Sequence, residues 1–343
     1  MRKSSLSRNR RKSLLLTCVL YLVPCCLFSQ DIHFSQFFQA PLLRNPALAG
    51  IFTGDIRVQT IYRDQWNSVT DAYRTTSLEG EYKMHIGKMD DYITLGMQVL
   101  YDKAGTIGWT STDIFPALNY HKSLSASTNK YLSLAFMGGF VQNNFDRSRL
   151  TTNSTYDNGT DGENFMNTSY NYLDGSVGLS FNSNMGENEN DNYFLGVAYH
   201  HLNHPTTSFF GNPNVEIPSK WVFSAGVRFD VTEFSYLTIQ ADHSQQGKFN
   251  ETVGGAMYGL RLGNADTKPL YTIHGGAFLR WNDAFIPTIK LDYSPFSIAF
   301  SYDVNISKLK TSSYGRGGFE VSLSYIGFKQ TNSATEALRC PRF

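Results

Sequence analysis

The segment Tyr92–Tyr101, YITLGMQVLY, alternates between two kinds of side chain. Its odd-numbered positions are apolar or aromatic, whereas the even-numbered positions between them include Thr94, Gly96 and Gln98. Alternation with a period of two is typical of a strand whose two faces meet different surroundings. A tilted strand needs about nine to eleven residues to cross a bilayer. The segment therefore predicts one membrane-spanning β-strand.

The same pattern recurs about fourteen times between Asp55 and Phe328. Repeated two-faced segments of this length predict an all-β fold, a transmembrane antiparallel β-barrel of about 14 strands. The apolar faces are expected to meet lipid, and the small polar faces, with positions such as Ser133 and Ser322, to line a hydrated lumen. The strands are predicted at 55–65, 74–87, 91–102, 110–122, 130–143, 172–184, 191–201, 220–230, 233–244, 250–262, 269–281, 284–293, 295–306 and 316–328.

The lengths of the connections support the same interpretation. Outer-membrane barrels have short periplasmic turns and longer outside loops. If the first strand runs outward, the short turns near Val231-Thr232 and Ser294-Pro295 are periplasmic, and the two longest connections, 144–171 and 202–219, lie outside. A soluble β-sandwich gives no reason for this regularity.

The amino-terminal residues 1–30 predict a secretory signal peptide. Met1–Lys12 contains six Lys or Arg residues and no acid, and an apolar run follows from Ser13 to Phe28. Processing is expected near Ser29-Gln30. An uncleaved membrane anchor is the alternative, although the run is short for a spanning helix. After processing, one cysteine is left, Cys340, so no intramolecular disulfide can form.

The composition limits the function. The net charge is +1 and aromatic residues make up 14% of the chain, which argues against nucleic acid as a partner and suits aromatic girdles in contact with outer-membrane lipid.

His200, His201 and His204 form the only dense group of metal-ligand types, but neighbouring strand positions point to opposite faces. We expect no metal site, no cofactor and no enzyme.

The segment before the barrel, DIHFSQFFQAPLLRNPALAG at 31–50, is too apolar for a free tail. Two prolines argue against one continuous helix or strand. Residues 31–54 are therefore expected to form either a plug in the lumen or its periplasmic mouth, or a partner-recognition segment, in front of a barrel at 55–328 and a tail at 329–343. The candidate residues are His33, Phe34, Ser35, Gln36, Phe37, Pro41, Asn45 and Pro46.

A second candidate surface lies in the extracellular connection Leu202–Ser219. It combines prolines with aromatic residues, and preordered aromatic side chains are favoured as interface anchors. The prediction is that Asn203, His204, Pro205, Phe209 and Phe210 help to bind a secreted protein. The alternative is a loop that folds back to cap the lumen.

Several of these stretches resemble one protein family. Residues 31–50, followed by Gly54, Arg57 and Tyr62–Trp66, are similar to the start of the PorP/SprF family, outer-membrane proteins of the Bacteroidetes type IX secretion system. The resemblance continues through 203–211, 301–305, 317–320, 323–325 and the terminal 340–343, and so covers essentially the whole mature chain. Two small departures are Ile32, where the family often has Pro, and Arg44, where it often has Asn or another residue.

The resemblance implies a barrel associated with the type IX secretion machinery at the periplasmic face. Some family members resemble dedicated partners of large adhesins used in gliding motility, which implies that the chain helps to export or anchor a secreted surface protein or adhesin. The rival hypothesis is a hatch-gated outer-membrane channel of the fatty-acid transporter type, because Asn45-Pro46-Ala47 is similar to the hatch motif of those barrels. The family supplies no catalytic residues.

Overall fold

The computed structural model describes residues 31–65, 73–87, 90–125, 128–163, 165–186, 188, 190–263, 271–308 and 310–329. The predicted signal peptide, the tail from residue 330 onward with Cys340, and Trp66 of the family motif lie outside these residues. All the elements below belong to the unit that begins at His33.

Within the described ranges, fourteen antiparallel strands form one closed barrel. Each strand pairs with its neighbours in sequence, and β1 closes the barrel against β14, from Ile56 opposite Gly327 to Gln65 opposite Gly318. The predicted fold class is confirmed, and the strand ends differ from the predicted ones by at most three residues. The strands are β1 Ile56–Gln65, β2 Tyr73–His85, β3 Tyr92–Ala104, β4 Trp109–Ser125, β5 Lys130–Asn144, β6 Ser169–Asn184, β7 Asn192–His200, β8 Lys220–Thr232, β9 Ser235–Gln246, β10 Phe249–Leu262, β11 Tyr271–Arg280, β12 Ala284–Tyr293, β13 Phe296–Asn305 and β14 Arg316–Gly327.

The helical elements are short. Turns of helix at Phe37–Gln39, Pro41–Arg44 and Pro46–Leu48 precede β1, and two more, Arg147–Arg149 and Asn153–Asn158, lie between β5 and β6. Lys310–Ser313 follows β13. Among the residues with a described placement, no helix has the length and apolar character needed to span a membrane.

The barrel wall is apolar outside and polar inside, the reverse of a soluble protein. In β5, Leu134 is 62% exposed whereas its neighbour Ser133 is 0% exposed. The same contrast holds for Leu323 and Ser322 in β14. Exposed Leu, Ile and Phe side chains around the outside are stable only if lipid covers them.

One expectation about the inner face is wrong. Ser133 and Ser322 do not line open water, because both are buried. The Ser133 hydroxyl lies 2.7 Å from Nδ1 of His121. The interior at this height is filled by inward-facing side chains and by residues 33–54, so the polar face of the wall is satisfied by protein groups.

The connections fall into two groups at the two ends of the barrel. The two longest, 145–168 and 201–219, lie at the same end, whereas the turns at 233–234 and 294–295 lie at the opposite end. Since outer-membrane barrels carry their long loops outside, the end with residues 145–168 is the extracellular end. Both ends of the barrel sequence, Ile56 and Gly327, are then at the periplasmic end.

The outward faces of β5 and β6 give a direct test of this arrangement. Leu134→Arg places a charge on the lipid face at mid-strand and is expected to destabilise the folded barrel by about 2–4 kcal/mol. Asn171→Arg also faces outward but belongs to a polar row, beside Gln142, and is expected to have little effect. The measurement is the fraction of folded, heat-modifiable protein in outer membranes. Equal loss of folded protein in both variants would show that Leu134 and Asn171 do not differ in their contact with the hydrocarbon region of the membrane.

Candidate functional site

The N-terminal segment, residues 33–54, runs along the inside of the barrel from one end to the other. Near its start, the imidazole of His33 lies 3.7 Å from the carboxylate of Glu251, at the extracellular end of β10. Near its C-terminal end, the backbone N–H of Gly50 donates to Glu81 at 2.6 Å, and the ammonium of Lys83 donates to the carbonyl of Phe52 at 2.5 Å. Glu81 and Lys83 lie toward the periplasmic end of β2. The segment therefore descends from the extracellular end toward the periplasm.

Buried charges hold the upper end of the segment. Glu320 accepts the backbone N–H groups of Ser35 and Gln36, at 2.6 and 2.7 Å. Asp303 accepts the Ser35 hydroxyl at 2.8 Å. We call Arg63, Arg280, Asp303 and Glu320 the outer charge cluster; all four are buried.

The two arginines complete this cluster. Arg63 lies 3.2 Å from Glu320 and 3.3 Å from Asp303, and it donates to the backbone carbonyl of His33. Arg280 also lies 3.3 Å from Asp303 and donates to the Ser35 hydroxyl. Each buried charge thus has an opposite charge beside it, which buried ions require.

Below the outer charge cluster the contacts are apolar. The ring of Phe37 meets Phe278 edge-on at 5.3 Å, and Phe38 stacks on the same ring at 5.1 Å. Phe37 belongs to a buried group with inner side chains of β10, β11 and β12. Further down, Leu42 and Ala49 pack against β4 and β5, and Leu48 and Ile51 pack against Phe194 of β7.

Arg44 makes a second buried ion pair with the wall. Its Nε and Nη2 atoms donate to the two oxygens of Asp242, at 2.6 and 2.5 Å. The guanidinium also lies over the ring of Phe37, 4.8 Å from its centroid. The two parallel hydrogen bonds fix both the position and the orientation of the segment at this height.

Asn45 and Pro46 form a turn that fits a recess in the wall. The Asn45 side chain accepts the backbone N–H of Ala47 at 2.8 Å and donates to the carbonyl of Leu179 at 3.2 Å. A Cβ atom at Gly178 would lie 2.0 Å from the Asn45 side-chain oxygen, and one at Gly196 would lie 2.8 Å from its nitrogen. These two glycines therefore make the space that Asn45 occupies.

Backbone carbonyls of the lower segment are also satisfied by the wall. The Asn119 side chain donates to the carbonyls of Ala47 and Ala49, at 2.9 and 2.8 Å. The Ser180 hydroxyl donates to the Ala47 carbonyl at 2.8 Å. A non-regular chain inside a barrel needs such partners, because an unpaired buried carbonyl is costly.

The second set of sequence-predicted residues lies in the connection between β7 and β8, separate from the residues that hold the segment. The Asn203 side chain donates to the carbonyl of Leu173 at 2.7 Å. His204 adopts a positive φ of 45°, with its ring 3.5 Å from the Ser219 hydroxyl. The carbonyl of buried Pro205 accepts the N–H of Ile217 at 3.0 Å. These three residues shape the loop.

Phe209 and Phe210 have different surroundings although they are neighbours in sequence. The ring of Phe209 meets Tyr170, Phe145 and Trp109 edge-on, at 4.6, 4.8 and 5.1 Å. Phe210 stacks on Phe165 at 5.0 Å and is 50% exposed. We call the whole group the aromatic cluster; its members are Trp109, Phe145, Phe165, Tyr170, Phe209 and Phe210.

The long loop between β5 and β6 contributes its own order to the aromatic cluster. Thr152 and Thr155 form a reciprocal capping box at the start of the short helix Asn153–Asn158. Arg147 donates two hydrogen bonds to Asp161, at 2.7 and 3.0 Å, and these bonds hold the pKa of the Asp161 carboxyl below its usual range. The loop is therefore folded rather than a loose solvated stretch.

Comparison with known protein families gives one match that spans most of the chain. The sequence profile of the family described as type IX secretion system membrane protein PorP/SprF matches residues 27–325. The chain belongs to the PorP/SprF family. It is accordingly an outer-membrane β-barrel component of the type IX secretion system, and its family membership implies interaction with the secretion machinery.

Solved structures similar to this PorP/SprF barrel are also outer-membrane barrels. The TodX deltaS2S3 mutant, a monoaromatic hydrocarbon channel, has a TM-score of 0.50 at 12% identity, over 83% of this chain and 93% of that chain. The toluene transporter TbuX of Ralstonia pickettii has a TM-score of 0.48 at 10% identity, over 85% and 94% of the two chains. The translocator domain of autotransporter NalP from Neisseria meningitidis has a TM-score of 0.44 at 12% identity, over 84% and 94%.

At such low identity, the likeness to the TodX variant shows the barrel fold alone. The comparison with curated proteins finds no match.

The residues that hold the segment of this PorP/SprF barrel were missed by the sequence prediction, which selected residues on the segment itself. Asp242, Glu320 and Asn119 carried only the weak signal of polar residues on the inner faces of strands. Arg44, on the segment, was not selected either. Glu81 also pairs with Arg57 at 2.6 Å. Among the described residues, no group of three or more His, Cys, Asp or Glu is placed to hold a metal ion.

The position of Phe37 can be checked by cross-linking. Cysteines at Phe37 and Phe278 are expected to be joined by a short bifunctional thiol reagent in assembled barrels, because the two rings are in contact. The matched control is Phe37 with Ser133, since Ser133 lies on a different part of the wall. Cross-linking is measured as a change in the mobility of the unfolded chain on a gel. Equal cross-linking of both pairs, or cleavage at Phe37 by added protease, would show that the segment does not occupy this place.

The ion pair of Arg44 and Asp242 gives a second prediction. Asp242→Asn leaves the buried guanidinium without its carboxylate and is expected to destabilise the barrel by about 3–5 kcal/mol. The double variant Arg44→Met with Asp242→Leu removes both charges and is expected to recover most of this loss. The measurement is the temperature at which the folded gel band is lost. A double variant no more stable than Asp242→Asn would contradict the pairing.

Proposed function

We propose that this barrel holds a secreted surface protein at the cell surface, by contact with its extracellular loops, rather than conducting a solute through its lumen. The observation that carries the proposal is the N-terminal segment, which passes along the interior from the extracellular to the periplasmic end. In this proposal the segment acts as a plug and the barrel catalyses no reaction.

The way the segment is fastened supports a filled lumen. It is held by the outer charge cluster at the top, by the pair of Arg44 and Asp242 in the middle and by Glu81 and Lys83 at the bottom. Between these points its apolar side chains are buried against the wall. Releasing such a segment for each solute molecule would break the buried Arg44–Asp242 ion pair and several buried hydrogen bonds to charged wall residues at once, which is expensive.

The aromatic cluster supports a protein partner outside. Phe209, packed among three other rings, ties the β7–β8 connection to the ends of β4 and β6 and to Phe145 after β5, which leaves Phe210 and Met166 exposed on a fixed base. Aromatic side chains that are already ordered lose little conformational entropy when they bind. An exposed Phe beside an exposed Met is the composition of a protein-binding surface, where such residues are enriched.

A hatch-gated channel is the second candidate function. It is favoured by one observation, the turn at Asn45 and Pro46, which fits a recess made by two glycines and is held by hydrogen bonds that could be exchanged for others. A channel is expected to show conductance in planar bilayers, and replacing Asn45 with Ala is expected to increase that conductance. A plugged binding protein is expected to stay closed in both forms.

The proposed partner surface is tested at Phe210. The partner is first defined as the surface protein that disappears from cells when this gene is deleted and returns on complementation. Phe210→Ser is expected to reduce the amount of that protein retained on cells about tenfold, since losing an aromatic anchor typically costs 1–2 kcal/mol or more. Retention is measured by mass spectrometry of peptides released by protease from intact cells.

Tyr314→Ser is the matched control, because Tyr314 is an exposed aromatic residue in a different extracellular connection, between β13 and β14. It is expected to leave retention unchanged. Folded barrel is measured in parallel in both variants. If Phe210→Ser assembles normally and retains the surface protein at the wild-type level, the aromatic cluster is not the binding surface.

A further inference from the structure

The start of the N-terminal segment faces the exterior of the cell. The wall residues that hold it lie in the extracellular halves of their strands, and four of them are close to the strand ends. Arg63 is close to the end of β1, Arg280 is the last residue of β11, Asp303 is close to the end of β13, and Glu251 is close to the start of β10. The long connections 145–168 and 201–219 lie at this same end.

Burial decreases toward the start of the segment. Ser35 and Gln36 are fully buried and Phe34 nearly so, whereas the side chain of His33 is 31% exposed. His33 is therefore the least buried of these residues and lies at the extracellular mouth.

The start of the segment is positioned by hydrogen bonds to the outer charge cluster and not only by packing. Space in the lumen is filled by Phe37, Leu42 and Leu48, which need no ionic partner. The chain nevertheless places four buried charges around Ser35 and Gln36, and burying charges carries a desolvation cost. Bonds of this kind specify one position for the residues just inside the mouth.

The connections are short on one side of this end. The connections 247–248, between β9 and β10, and 281–283, between β11 and β12, are tight turns. The longer connection 306–315 lies on the other side, between β13 and β14. From the side of β9 to β12, a protein bound to the aromatic cluster can therefore reach His33 without displacing a long loop.

We infer that the start of the N-terminal segment, at His33, is presented at the extracellular mouth and forms part of the surface that contacts the secreted protein partner. The contact with the partner rests on the proposed function. The outward presentation does not, because it follows from the order of contacts along the lumen.

Accessibility of position 33 tests the presentation. His33→Cys is introduced into the full-length protein together with Cys340→Ser, and intact cells are treated with a small membrane-impermeant thiol reagent. Cysteine at Tyr156, exposed in an extracellular loop, is the positive control, and cysteine at Glu233, in a periplasmic turn, is the negative control. Labelling of position 33 in intact cells, as for position 156, is expected. Labelling only after permeabilisation, or only after unfolding, would overturn the inference.

Protection by the partner tests the contact. The labelling rate of His33→Cys is compared between cells that make the partner, defined by its loss on deletion of this gene, and cells from which the partner gene has been removed. At least a fivefold faster reaction without the partner is expected. Equal rates, together with partner retention that depends on Phe210, would overturn the contact at His33 while leaving the proposed function in place.

Discussion

Hydrogen bonding of the backbone in lipid is the constraint on which this structure depends. The bilayer core offers no water, so each N–H and C=O group of a spanning strand must find a partner within the chain. Pairing of β1 with β14 meets this requirement because it leaves no open strand edge. Once the wall is closed with its apolar side chains outside, the polar side chains of every strand are directed into a narrow interior, and their partners must be found there.

The N-terminal segment supplies many of those partners. Because its backbone is irregular, it has N–H and C=O groups that are not paired within a helix or with a neighbouring strand. Glu320, Asn119 and Ser180 bind such groups from the wall. The inner face and the segment thus satisfy each other, and neither would be stable in its present form alone. This reciprocity agrees with the complete burial of Ser133 on the inner face.

The fold could be predicted from the sequence because strand alternation is a local property. The outward direction of Leu134 and the inward direction of Ser133 follow from their adjacency alone. The composition of residues 31–50 likewise indicated burial. The partners of the segment could not be predicted, because Arg44 and Asp242 are 198 residues apart and meet only through the rotation of the segment inside the closed wall. Phe209 and Phe210 show a similar limit: two identical neighbours have different surroundings, which are decided by rings from β4 and from the β5–β6 region.

The position of Glu320 has a consequence for the order in which the protein is made. Ser35 precedes all fourteen strands in the chain, yet the carboxylate that accepts its N–H comes from the last strand, 285 residues later. The segment's lowest contacts, in contrast, are with β2, which is synthesised soon after it. During biogenesis these hydrogen bonds cannot form until β14 has been inserted and paired with β1. Phe37, which packs against β10, β11 and β12, likewise lacks its partners until late in synthesis, so the packing of the amino-terminal part of the chain is completed last.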